Sequence, residues 1–190
     1  MTHLSSLVAL GGLVFLTACG GDGDGRDNPV ADYAEDSAKA SRIIARTNAL
    51  TQTSAASMPV TGRAEYDGVV GMAFGGAPAS LQNAEMIGDL DLDANFGAGT
   101  ITGEMDDFNT RDGRELRGEL RVTNGAIRGS GFSANAGGTL TGGASAPGRV
   151  DATIGGEFLG EGASALSGSG SGTSAGGEVG LIFRGVRDRD

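Results

Sequence analysis

From Gly62 onward the chain sets apolar or small residues at every second position, the period of a β-strand with one buried and one wet face. In the first such run Ala64, Tyr66, Gly68, Val70, Met72 and Phe74 share a face. In the next, Met86, Gly88, Leu90, Leu92, Ala94 and Phe96 do so, with Asp89, Asp91, Asp93 and Asn95 opposite. Ile101, Gly103 and Met105 continue the scheme, followed by Leu116, Gly118, Leu120 and Val122, and then by Ile127, Gly129 and Gly131. It returns in Val150, Ala152, Ile154, Gly156 and Phe158, and closes in Val179, Leu181 and Phe183. Turn residues separate the runs at Gly97-Ala98-Gly99, Asp112-Gly113 and Asn124-Gly125, the last pair predicting a two-residue hairpin. The pattern predicts eight or nine short strands with hairpin-length connections and no helix between them.

A meander of that kind must hide its edges, and closing into an up-and-down barrel does so. The predicted fold class is therefore all-β: a single eight-stranded antiparallel barrel over residues 61–187. The chain holds 36 glycines among its 190 residues, without the every-third-residue spacing of collagen. Inward-facing glycine relieves the crowding and sharp coiling of a narrow barrel. Residues 19–60 read as a tether. Gly20 to Pro29 is charged and glycine-rich, and its Asp22-Gly23-Asp24 lacks the later acidic ligands of a calcium loop. Residues 31–49 are helix-prone, with Ile43 and Ile44 as contacts, and fit either a helix lying on the domain or part of a stalk.

The first residues carry a different signal. Leu7 to Leu16 is apolar or glycine, the length of a signal-peptide core and too short to span a bilayer. It ends in Leu16-Thr17-Ala18-Cys19, which resembles the bacterial lipobox. Residues 1–18 are thus expected to be a lipoprotein signal and Cys19 the lipidated residue, with an anchor on the outer membrane and the cell surface as the expected side. His3 stands where such signals usually carry Lys or Arg. Cys19 is the sole cysteine and His3 the sole histidine. The mature chain would then lack both, which removes thiolate and histidine metal sites and most nucleophile–histidine catalysis. No enzyme, cofactor or metal is expected. A net charge of −10 argues against nucleic acid as a partner.

Other chemistry-bearing residues have structural readings. Tyr33 and Tyr66 are the only tyrosines, and Tyr66 falls on the apolar phase, as a core tyrosine with a satisfied hydroxyl. Met72, Met86 and Met105 lie on inward positions as core filler. Asp89, Asp91 and Asp93 line a wet strand face, with Glu104, Asp106 and Asp107 on its expected partner. Arg111, Arg114, Arg117 and Arg121 follow closely and are expected to neutralise those acids across a hairpin.

Three stretches resemble the β-barrel domains of the transferrin-binding protein B-like surface lipoproteins. They are residues 94–108, with Thr100-Ile101-Thr102-Gly103 starting a strand; residues 125–132; and residues 154–168, with Gly156-Glu157-Phe158-Leu159-Gly160. Val179 to Gly185 resembles the closing strand. The resemblance implies an eight-stranded barrel on an outer-membrane lipoprotein that captures a host protein or nutrient carrier for a neighbouring transporter. The larger co-receptors have two lobes, each with a handle domain. This sequence shows one barrel and no handle, so transferrin and the family's contact residues are not transferred to it. The function expected is a binding module for a protein partner or nutrient carrier. The alternatives are a carrier of haem or another small hydrophobic ligand at the barrel mouth, or a structural envelope protein.

Overall fold

The computed structural model describes residues 28–143 and 146–188. Its strands are β1 (Arg63–Phe74), β2 (Met86–Asn95), β3 (Thr100–Thr110), β4 (Leu120–Arg128), β5 (Gly131–Leu140), β6 (Gly148–Leu159), β7 (Ala165–Ser174) and β8 (Gly177–Arg187). Each pairs antiparallel with the next, and β8 returns to β1, closing the barrel. The fold class predicted from the alternation is the one observed.

The inward phase of the strands fills the interior. At the end where β1 begins, Phe158 sits among Tyr66, Phe96 and Phe132 with ring centroids 5.5–5.8 Å apart. Toward the other end Met72, Met86, Met105, Phe108, Leu120 and Leu140 are all buried. The three methionines are core, as expected. Tyr66 is core as well, and its hydroxyl donates to the Ala163 carbonyl at 2.6 Å.

Among the described residues, helix α1 (Pro29–Thr47) precedes the barrel. Its start is well specified: the Asn28 side chain accepts from the Ala31 N–H, Pro29 occupies the first turn, and Asp32 complements the helix dipole. It runs along the outside of the barrel, and Ala40 and Ile43 pack against Val69, Leu81, Ala84 and Ile87. Of the two readings left open for this stretch, the structure has the helix lying on the domain. The chain after it also binds the barrel. The Thr53 N–H donates to the Phe158 carbonyl at 2.8 Å, and the Gly160 N–H to the Thr51 carbonyl at 2.9 Å.

Two local expectations differ from the structure, and one strand is not marked by its residues. Asn124-Gly125 is not a hairpin turn: it lies inside β4 at a register shift, with Asn124 in the left-handed region at φ 54°, and the turn falls at Gly129-Ser130. The run from Leu116 to Val122 becomes strand only at Leu120, because residues 111–119 form the β3–β4 connection. Strand β7, ALSGSGSGTS, has too few apolar side chains to display an alternation.

Candidate binding surface

The outward phase of β1, β2 and β3 carries acids in register. Asp67 stands opposite Asp91, Asp91 opposite Glu104, and Asp89 opposite Asp106. The facing of the β2 and β3 acids read from the sequence is therefore real, with Asp93 set instead beside Thr102 and Glu65. Like charges directly across a strand pair are destabilising, so this face calls for a counter-ion.

Helix α1 supplies it. The Lys39 ammonium donates to Asp67 Oδ1 at 2.8 Å and to Asp89 Oδ1 at 2.9 Å. Burial alone would lower the Lys39 pKa, but its bonds to the two carboxylates outweigh that and raise it. One ammonium does not compensate the whole ladder. The Asp106 carboxyl is pushed up to about 6 by burial and by Asp107 and Glu104 beside it. Asp91 is raised too, by burial and by Asp67 and Asp89.

Where α1 meets β3 the same face opens into a recess of about 510 Å³. Asp32, Glu35 and Asp36 of the helix line it with Asp89, Asp107 and Glu115 of the barrel, and Lys39 and Arg42 are the cations there. Asp36 is pushed up to about 6, chiefly by burial, although the hydrogen bond from Asn109 Nδ2 at 3.2 Å pulls it down. Asn109 belongs to the recess wall and is 7 % exposed.

The arginines do not neutralise the ladder as expected. Arg111, Arg114 and Arg117 fall in the β3–β4 connection at the barrel end rather than on a strand face. Arg111 donates to the Tyr33 hydroxyl and the Ala84 carbonyl, both at 3.3 Å, and Arg114 pairs with Asp112. Arg121 does stand opposite Glu104 on β4, but its ion pair is with Glu119. Tyr33 itself donates to the Ala84 carbonyl at 2.7 Å, tying the helix to the β1–β2 connection. Sequence reasoning missed Asp36, Lys39, Asp67 and Asn109. The usable signals were that Lys39 is the only lysine, and that Asp67 lies on the polar phase of the first run. Cys19, His3 and the Asp22-Gly23-Asp24 segment lie outside the described residues.

Other concavities lie among the described residues. A cleft of about 490 Å³ sits at the barrel end near Phe74, Met86, Thr110 and Arg111. A groove of about 700 Å³ runs on the outer wall between Ile44, Leu81 and the small residues of β6 and β7. The inward side chains of the barrel themselves form one buried cluster.

A family profile described as the C-lobe and N-lobe β-barrels of Tf-binding protein B matches residues 58–187. The chain belongs to this family. Among solved structures, a mutant of the vaccine antigen transferrin binding protein B from Haemophilus parasuis is similar with a TM-score of 0.50 at 17% identity. That match covers 73% of this chain and 29% of that one. Transferrin binding protein B from serogroup B Neisseria meningitidis has a TM-score of 0.47 at 20% identity, over 72% of this chain and 28% of that one. A protein described as a surface lipoprotein has 0.44 at 15% identity, over 72% and 65%. The chain thus spans less than a third of the transferrin binding proteins it resembles. No curated protein sequence matches it.

Proposed function

We propose that this chain is a lipid-anchored, non-enzymatic binding module of the outer membrane that engages a protein partner through its outer wall and loops. The observation that carries this reading is the filled interior. With Tyr66, Phe96, Phe132 and Phe158 packed together and the other half closed by methionine, leucine and Phe108, a family barrel of this kind offers its outside to a partner. The same packing argues against a solute carried within the barrel.

The proposed anchor on Cys19 also orients the molecule. Helix α1 begins beside the β3–β4 connection, where Val30 lies against Gly113, and ends near Arg184 on β8, whose guanidinium donates to Thr47 Oγ1. The chain from Cys19 to Asn28 reaches at most about 30 Å when fully extended. The end holding the β1–β2, β3–β4 and β5–β6 connections is then nearer the membrane. The turns after β2, β4 and β6 then point away from it, and the outer wall beside α1 stays open to a partner.

Protease shaving of intact cells carrying a C-terminally tagged copy, beside a Cys19→Ala control, tests this. Loss of the tag with a periplasmic marker intact is the expected result, together with release of the Cys19→Ala protein from the membrane fraction. Loss of the tag only after lysis would overturn the surface reading.

A further inference from the structure

The recess between α1 and β3 has a feature that its acidity does not explain. Asn109 uses both hydrogens of its side-chain amide, donating to Asp36 Oδ2 at 3.2 Å and to the Asp107 carbonyl at 3.1 Å. Its Oδ1 is buried and has no hydrogen-bond partner, the one such side-chain atom found among the described residues. Turning the amide over would not repair this, because the oxygen would then face the acceptors now served by Nδ2. A buried carbonyl oxygen in a wall of carboxylates lacks a donor.

We propose that this recess receives a lysine or arginine side chain from a basic segment of a protein partner, its N–H groups reaching Asn109 Oδ1 and the carboxylates of Asp36, Asp107 and Glu115. The inference deepens the protein-partner reading above and rests on it. Three observations select this occupant. Six carboxylates line the recess against two cations, and one of the two, Lys39, is held by Asp67 and Asp89. The negative charge does not stop at the recess: Asp91, Glu104 and Asp106 carry it on across β2 and β3, at roughly 5 Å per strand. An occupant with several cations along a chain matches that length, whereas a single small amine matches only the recess. Among the described residues, no three acidic side chains converge closely enough to chelate a metal ion, while a guanidinium fork needs only spaced acceptors. A second copy of this chain is disfavoured by its net charge of −10.

The test uses the full-length protein in detergent micelles, with a nona-arginine peptide as probe and calcium chloride as a separate titrant. Isothermal titration gives the affinity, and the Asn109 side-chain amide signals are followed by NMR. The expected result is saturable binding that moves those signals and weakens by about tenfold in Asp36→Asn/Glu115→Gln, as removal of charge partners at an interface does. Glu178→Gln, an exposed acid on β8, should bind within about twofold of the parent, since scattered surface charge contributes little. If the double variant does not fold, Glu115→Gln alone, at an exposed position, is expected to weaken binding measurably. Equal affinity across all variants would overturn the site, as would Asn109 signals that stay fixed. Calcium that moves those signals and displaces the peptide would reassign the recess to a metal ion. A barrel that is shaved from cells but ignores the peptide keeps the surface reading and loses this site. One that binds the peptide but resists shaving does the reverse.

Discussion

Phe132 and Phe183 face glycines across the sheet: Phe132 is the register partner of Gly156, and Phe183 of Gly168. The rings lie over the bare backbone, and a Cβ placed on Gly156 would come within 2.6 Å of Phe132 Cζ. Glycine on the inward phase is therefore half of a packing pair, with the volume supplied by the neighbour. We expect Gly156→Val to cost about 1–3 kcal/mol by overpacking, read as a lower urea midpoint with little change in slope. Tyr66 makes a second residue-scale case. Its hydroxyl holds the carbonyl of Ala163, a non-glycine residue in the left-handed region at φ 59°. Tyr66→Phe is expected to cost about 1–3 kcal/mol, because a buried acceptor loses its donor. The sequence placed Tyr66 on the right face by period alone. It did not reveal which ring covers which glycine, because register between distant strands is set by closure of the whole barrel.

Among the elements, the apolar strands were legible and the others were not. β1 and β2 declare themselves because their inward positions, six in β1 and five in β2, are all apolar or glycine, while Glu65, Asp67, Asp89, Asp91 and Asp93 fall on the other phase. β7 alternates serine with glycine, and its inward glycines are filled from β6 and β8, so nothing in its own residues marks it. Asn124-Gly125 misled because the left-handed φ that makes this pair a good turn serves equally well in a β-bulge. Helix α1 was legible as a helix but not as a docked one, since its seat includes Val69 and Ile87, apolar residues on the outward phase of strands that also carry acids there. That seat makes a prediction. Ile43→Ala should cost about 2–5 kcal/mol of docking, seen as faster hydrogen exchange in residues 29–47 while β5–β7 stay protected. Lys39→Met should cost about 1 kcal/mol, as its carboxylate partners are half exposed, and Asp89→Asn in the same chain should recover part of it. The acidic ladder itself was visible in sequence; its counter-ion was not, because Lys39 comes from an element about fifty residues away along the chain.

At the scale of the whole molecule, the charge on one face sets how stability follows pH. Asp36 and Asp106 both titrate near 6 in the folded chain, against about 3.9 for an unfolded aspartate. Asp36 is half-buried beside Asn109, with Asp89, Lys39 and Asp32 around it; Asp106 is faced by Asp107, Glu104, Asp89 and Asp91. A folded pKa above the unfolded one means that the native state binds more protons between about pH 4 and pH 6, so stability falls as pH rises through that window. The penalty is complete above pH 6 and absent below pH 4. Asp151 runs the other way, because its hydrogen bond from Arg149 holds its carboxyl low, but that pair is fully exposed and screened. The urea midpoint should therefore be higher at pH 5 than at pH 7.5, the reverse of a protein held together by salt-bridged carboxylates. Asp36→Asn/Asp106→Asn should flatten the difference by removing both groups. A midpoint that rises steadily from pH 5 to pH 7.5 in the parent would mean that these carboxyls are ionised and well paired in the folded state. In that case the face is already neutralised, and a basic partner would gain little by docking on it.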